Sequence, residues 1–278
     1  MSHFPSRSAM LWACFLAGFL CVYPQPNTAA FSNAERLPPA EIRLVQDILQ
    51  TLEPRIRARE TDATLATMTF EELYAPLDAR QTEFLRAFQK FDPLKAGMKT
   101  TWHGIATGRE KLRAIRGQQV LMNGKPFVIP VQVVPPRVFK AFERMMRAME
   151  KELGRRLYIE SGYRSSAYQL YLFIFYLKNH EYSVRETAHW IAFPGYSEHG
   201  NPRHQALDFI NAEGISGETD PKAFENVPEY AWLLEHAAQF GFVLSFPKTN
   251  PGGVGFEPWH WRYEGRQAPA LMDKITGK

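Results

Sequence analysis

Apolar residues recur at helical spacing early in the chain and at strand spacing later. Over residues 40–52, Ile42, Val45, Ile48, Leu49 and Leu52 share one helix face, and Pro38-Pro39 suits the first turn. Residues 70–91 repeat the pattern, with Leu73, Leu77, Phe84, Leu85, Phe88 and Phe91 as the expected buried face. Near Val120 the period changes. Residues 120–122 and 127–129 read as strands, and Asn123-Gly124 between them predicts a hairpin with a type I′ turn. Pro135-Pro136 opens a helix through Leu153 with Val138, Phe139, Phe142, Met145, Met146 and Met149 inward, and Gly154 stops it.

Short alternating elements follow. Residues 157–160 predict a strand that delivers the turn Ser161-Gly162-Tyr163-Arg164-Ser165. Ser165 or Ser166 can cap the next helix, 167–177, which is apolar nearly all round and therefore expected to be buried. Residues 183–191 predict a short serine-capped helix, and 193–202 a loop rich in glycine, proline and serine. Strands are expected at 206–210, 242–246 and 259–263, with an amphipathic helix at 228–240 and a glycine- and proline-rich loop at 248–255. The elements alternate irregularly, with no repeat and no GxGxxG. The expected class is therefore α+β, a small antiparallel or mixed sheet flanked by helices, with an added helical segment over 31–117.

Composition changes the picture only at the N-terminus. The 278 residues are 45% apolar and 22% charged, as in ordinary globular proteins. A net charge of +4 without a basic block gives no reason to expect a nucleic-acid partner, while contact with an anionic wall polymer stays open. Arg7 is the only charged side chain before Glu35; after it come an apolar run over 9–23, a polar break and the small residues Thr28-Ala29-Ala30. That is the pattern of a cleaved secretory signal over residues 1–30, and the run is short for a membrane span. The expected location is outside the cytoplasm, in a periplasm or cell-wall space. Both cysteines, Cys14 and Cys21, lie within this segment. The mature chain then has neither a disulfide nor a thiolate ligand, and any metal must be held by His, Asp or Glu.

The candidate chemistry lies in two stretches, Ser197-Glu198-His199 followed by Ala206-Leu207-Asp208, and Glu257-Pro258-Trp259-His260-Trp261-Arg262-Tyr263. Two histidines and one aspartate satisfy a hydrolytic zinc site, which uses three protein ligands and one open position. Zinc would bring the pKa of its bound water to about 7. Glu257, three residues before His260, is at hand as a general base. Arg164, at a strand-to-helix junction, is the candidate cation for an anionic part of substrate. Each residue has an ordinary alternative: Arg164 as a surface turn arginine, Asp208 on an edge strand, Glu257 as a loop carboxylate. The combination is what points to a site. Trp102-His103 echoes Trp259-His260 but has no carboxylate at the matching offset.

The motifs S-G-Y-R-S, S-E-H with A-L-D, and E-P-W-H-W-R-Y occur in the order found in VanY-like D-alanyl-D-alanine carboxypeptidases, and residues 120–263 resemble that family. The resemblance implies the fold shared by lysostaphin-type peptidases and the hedgehog signalling domain, over residues 118–278. It implies zinc on His199, Asp208 and His260, Glu257 as catalytic glutamate and Arg164 as substrate-binding arginine. It also implies that Gln169, Ser197, Trp259 and Tyr263 line the substrate pocket. One departure concerns the connection between His199 and Asp208. Eight residues intervene, a longer stretch than the family's, lacking its usual glycine and containing a further histidine, His204. His199 is the expected ligand because Ser197-Glu198 immediately precede it.

The expected activity is removal of a terminal D-alanine from peptidoglycan stem peptides. An L,D-carboxypeptidase, a cross-link endopeptidase or a non-catalytic wall-binding module with the same fold are the alternatives. Glu257 speaks against the last, since a binding module needs no base beside its ligands.

Overall fold

Alternation along two neighbouring strands gives the main sheet one greasy face and one polar face, and the polar face carries the chemistry. The computed structural model describes residues 31, 33–201, 203–249 and 255–265. The proposed signal segment, residues 1–30, lies outside the described residues. Among the described residues, no helix is long and apolar enough to cross a membrane.

Three helices come first: α1 (Pro39–Thr61), α2 (Phe70–Tyr74) and α3 (Ala79–Lys90). The single helix expected over 70–91 is thus two. Asp78 breaks it by taking extended backbone and capping α3: its side chain accepts from the Gln81 N–H, and Gln81 returns a bond to the Asp78 N–H. The stretch that follows contains β1 (Arg113–Ile115), β2 (Gln119–Met122), β3 (Lys125–Val128) and β4 (Gln132–Val134). The β2–β3 hairpin turns through Asn123 and Gly124, both at positive φ as a type I′ turn requires. Strands β1 and β4 pair antiparallel; neither was legible, being three residues each.

Next come α4 (Pro136–Leu153), β5 (Leu157–Ser161), α5 (Ser166–Tyr176) and α6 (Val184–Ala188). Gly154 ends α4 at φ 68°, a left-handed conformation that glycine adopts without strain. The remainder is β6 (Ala206–Asn211), α7 (Pro221–Glu225), α8 (Pro228–His236), β7 (Phe242–Leu244) and β8 (His260–Tyr263). Helix α7 was not foreseen. The main sheet has the order β5-β6-β8-β7, antiparallel throughout. The class is α+β.

Alternation on this sheet sorts the side chains. Leu157, Ile159, Leu207, Phe209 and Trp261 face a core completed by α4 and α8 through Phe142, Met145, Met146, Trp232 and Leu233. Full burial of side chains of this size contributes about 1.5–3 kcal/mol each. The intervening residues Asp208, His260 and Arg262 necessarily point to the opposite face. A second apolar cluster joins Val45, Ile48 and Leu52 of α1 and Leu85 and Phe88 of α3 to Leu170, Phe173 and Ile174 of α5. Helix α5 is apolar on nearly every side because it is covered by the N-terminal helices.

The N-terminal segment also grips the turn before α5. The Ser165 N–H donates to the Ala66 carbonyl (2.8 Å), and its hydroxyl donates to the Met68 carbonyl (2.5 Å) while accepting from the Tyr168 N–H (3.1 Å). Ser166 and Ala106 exchange two bonds, the backbone N–H of each donating to the other residue. Removing the fully buried Ser165 hydroxyl orphans one carbonyl and one helix-end N–H. Ser165→Ala is expected to lower stability by about 1–3 kcal/mol in denaturant unfolding, with no change in the slope of the transition.

Candidate metal centre and active site

Strand register makes the first half of the site. Asp208 on β6 stands directly opposite His260 on β8, so their side chains rise together from the polar face. The other half drops from above. A short 3-10 turn, Glu198–Gly200, capped by the Ser197 hydroxyl, carries His199 onto the same point. One potential ligand atom from each of His199, Asp208 and His260 lies within 4.8 Å of the others, and all three residues are buried.

Hydrogen bonds at the outer nitrogens fix which atoms face inward. His199 Nδ1 donates to the Gly162 carbonyl at 2.8 Å, leaving Nε2 3.0 Å from Asp208 Oδ2. His260 Nε2 donates to Glu198 Oε2 at 3.0 Å, leaving Nδ1 2.9 Å from Asp208 Oδ1. The two imidazoles meet edge to face, 4.9 Å apart at 80°. Two imidazole nitrogens and a carboxylate oxygen, buried and converging, fit a tetrahedral divalent cation with one position left for a further ligand. Outer partners on both histidines are the usual accompaniment of such a centre. The residues therefore fit a metal, held by His199 Nε2, Asp208 and His260 Nδ1.

Arg164 enters between the two halves. Its backbone N–H donates to the His199 carbonyl (3.1 Å), its Nε to Ser161 Oγ (3.1 Å), and its Nη2 to both His199 Nε2 and Asp208 Oδ2 (3.2 Å each). The guanidinium thus competes with a cation for the same lone pairs, and a bound cation would leave Nη2 available to an anionic ligand. Glu257 sits on the approach to β8, its Oε2 3.7 Å from His260 Nδ1. Burial raises the Glu257 carboxyl to about 7; His260 and Arg164 oppose that rise, and the Asp208 and Glu198 carboxylates add to it. Asp208 behaves oppositely: burial would raise it, but His199 and His260 hold it far below the usual carboxylate range.

His204, the rival ligand, is elsewhere. Its Nδ1 lies 2.9 Å from Glu264 Oε2, an ion-pair distance without hydrogen-bond alignment. The longer connection is absorbed by a turn in which Asn201 Oδ1 accepts from the Arg203 and His204 N–H groups at 3.0 and 3.1 Å. His103 is likewise off the centre, against Asn201 at 3.2 Å.

The other expected pocket residues are dispersed. Ser197 caps the turn bearing His199. Trp259 packs against Gly217, where a Cβ would fall 2.2 Å from the ring. Gln169 is buried in α5, and its Nε2 donates to the Ala192 carbonyl at 2.9 Å. Tyr263 is a correction to its expected place on the pocket wall. Being three residues beyond His260, it falls on the opposite face of β8, where its ring packs 5.3 Å from Phe242.

Sequence reasoning missed Glu198, Ser245 and Arg262. Glu198 accepts from Ser245 Oγ (2.5 Å) as well as from His260, and pairs with Arg262. Burial alone would raise its carboxyl, but His260, Arg262 and Ser245 bring it down to about 2. The available signals were the position of Glu198 beside His199 and the i, i+2 relation of His260 and Arg262 on one strand.

Comparison with known proteins gives the same segment a family. Residues 132–266 match the family model VanY: D-alanyl-D-alanine carboxypeptidase. This part of the chain is a VanY-family domain. A D-alanyl-D-alanine carboxypeptidase of Enterococcus faecalis is 41% identical over 85 residues, 30% of this chain and 28% of that protein. The bifunctional D-Ala-D-Ala dipeptidase and carboxypeptidase VanXYC of Enterococcus gallinarum is 32% identical over 136 residues, 47% of this chain and 66% of that protein. The chain spans less than two thirds of the length of these relatives. Among solved structures, a vancomycin resistance D,D-pentapeptidase VanY in complex with Zn(II) aligns at TM-score 0.44 and 23% identity, over 65% of this chain and 93% of that one. The VanY match begins at β4, so α1 to β3 lie outside it, although they supply bonds to the Arg164 turn.

A divalent cation added to the metal-free protein is expected to raise the unfolding temperature of the wild type, by about 2.7 kcal/mol of stabilisation at a hundredfold excess over Kd. His204→Ala should respond as the wild type does, and Asp208→Asn, of the same shape without the charge, should respond far less. Differential scanning calorimetry across the three proteins checks this.

Proposed function

We propose that this protein is an exported, zinc-dependent peptidase that removes the terminal D-alanine from peptidoglycan stem peptides. The observation that carries the reading is the convergence of the buried His199, Asp208 and His260 with a half-buried carboxylate, Glu257, and a half-buried guanidinium, Arg164, beside them. A binding module has no use for that carboxylate; a hydrolase has.

Zinc, when bound, would supply Lewis acidity toward a carbonyl and acidify water. The remaining tasks fall to the chain. Glu257 takes a proton from the attacking water and delivers it to the amine of the departing D-alanine, the exchange a general acid–base residue provides. Arg164 pairs with an anionic group of the substrate, for which the free C-terminal carboxylate of the stem is the candidate, and its bonds to Ser161 and His199 hold it in place. Burial of His199, Asp208 and His260, with Glu257 and Arg164 half-buried beside them, strengthens these interactions by limiting water. Export rests on the sequence pattern of residues 1–30 and accords with a substrate that lies outside the cytoplasm.

The test is release of D-alanine from a pentapeptide stem ending in D-Ala-D-Ala, with a tetrapeptide stem ending in a single D-alanine alongside. Turnover of the pentapeptide is expected, and exclusive turnover of the tetrapeptide would replace this reading with L,D-carboxypeptidase activity. Glu257→Gln should lower kcat by about 10²–10⁴-fold while zinc content stays at the wild-type level. Arg164→Lys, which keeps the charge but loses the planar fork, should also lower kcat/KM. Peptidoglycan binding that survives Glu257→Gln, with no hydrolysis in the wild type, would leave a binding module instead. Amino-terminal sequencing of the secreted protein is expected to start just after Ala30; an intact Met1 on material recovered from the cytoplasm would remove the export proposal.

A further inference from the structure

The side chains behind His260 form a connected set that the peptidase mechanism above does not use. Glu198 is 6% exposed and sits at the start of the same 3-10 turn that presents His199. Its Oε2 receives His260 Nε2 at 3.0 Å and Ser245 Oγ at 2.5 Å; its Oε1 pairs with Arg262 Nη1. Arg262 is held in turn by Glu264, through Nε at 2.7 Å and Nη2 at 2.6 Å. Glu264 reaches His204 at 2.9 Å through its other oxygen. An imidazole has two nitrogens, and the partner of one decides the state of the other. With Nε2–H committed to a carboxylate, Nδ1 is the nitrogen left for a metal, and Nδ1 is the atom that faces Asp208 at 2.9 Å.

We propose that Glu198 is a positioning residue for the metal centre: it fixes the ring orientation and tautomer of His260 so that Nδ1 is presented inward, and Arg262 and Ser245 hold Glu198 in the orientation this requires. The inference rests on the metallopeptidase reading. It adds a second duty for the His199 turn, which brings one ligand from its own sequence and the orienting group for another ligand sixty-two positions away. It also gives Arg262 and Ser245 a place in the centre that their positions in the sequence do not disclose. An ionised acceptor raises the basicity of its imidazole partner more than a neutral one does, so the charge of Glu198, as well as its shape, should matter. His204 has a place here too, at the outer end of the chain of contacts rather than among the ligands.

The experiment measures zinc dissociation constants of the full chain by competition with a chromophoric chelator. The proteins are the wild type, Glu198→Ala, Glu198→Gln and Ser245→Ala. The visible spectrum of each cobalt-substituted protein and the unfolding midpoint of each metal-free protein are recorded alongside. Glu198→Ala is expected to weaken zinc binding about 10–100-fold and to alter the cobalt bands. Glu198→Gln, which keeps an acceptor oxygen but not the charge, should recover part of that loss. Ser245→Ala, which removes one restraint on the same oxygen, should weaken binding by less than Glu198→Ala while leaving the metal-free midpoint near the wild type. If Glu198→Ala does not fold, the Gln and Ser245 variants decide. Wild-type affinity and an unchanged cobalt spectrum in all folded variants would overturn the inference and leave the metallopeptidase reading standing. A wild type that takes up no zinc would overturn both.

Discussion

Everything near the site follows from one costly arrangement, the burial of Asp208 between two imidazoles and a guanidinium. An ionised carboxylate taken out of water loses several kcal/mol of solvation and persists only when its oxygens are fully engaged. Here Oδ1 meets His260 and Oδ2 meets both His199 and Arg164. Each of those partners is itself restrained from outside, by Glu198, by the Gly162 carbonyl, and by Ser161. A cluster with this donor set is also what a divalent cation needs, so the groups that make the fold expensive are the ones that make it useful.

The sheet supplies the framework cheaply. Because successive residues of β6 and β8 alternate faces, Leu207, Phe209 and Trp261 build the core while Asp208 and His260 build the site. Precision in the core is inherited by the site, since a shift of register by one residue would exchange the two sets. The turn bearing His199 has no such ladder. It is fixed by the Ser197 cap, by the Arg164 N–H on the His199 carbonyl, and by the approach of Gly200 to the Arg164 carbonyl, where a Cβ would come within 2.9 Å.

The helices outside the VanY match belong to this support. Helices α1 and α3 cover α5, and the segment between Ala66 and Gly108 bonds to Tyr163, Ser165 and Ser166 on either side of Arg164. A guanidinium is useful for recognition when its position is over-determined, and residues remote in sequence provide part of that determination. The N-terminal segment and the Arg164 turn thus share one set of hydrogen bonds, whatever boundary a family match assigns.

The sequence by itself determined the α+β class, the hairpin at Asn123-Gly124, the extent of α4, and the residue types of the centre. These depend on local periodicity, on turn chemistry that needs positive φ, and on ligand types that cluster in short motifs. The pair Ser197-Glu198 directly before His199, as in the family it resembles, also favoured His199 over His204 as a ligand, although what places His204 against Glu264 is a turn through Asn201 that no pattern announces. Tertiary structure decided the rest. The register that opposes Asp208 to His260, the face on which Tyr263 falls, and the contact of Glu198 with His260 all join residues brought together only by strand pairing. The bond from Ser165 to Met68 crosses ninety-seven positions. Such contacts leave no local trace, because hydrophobic period and propensity act within a few residues while loop closure and packing act across the whole chain.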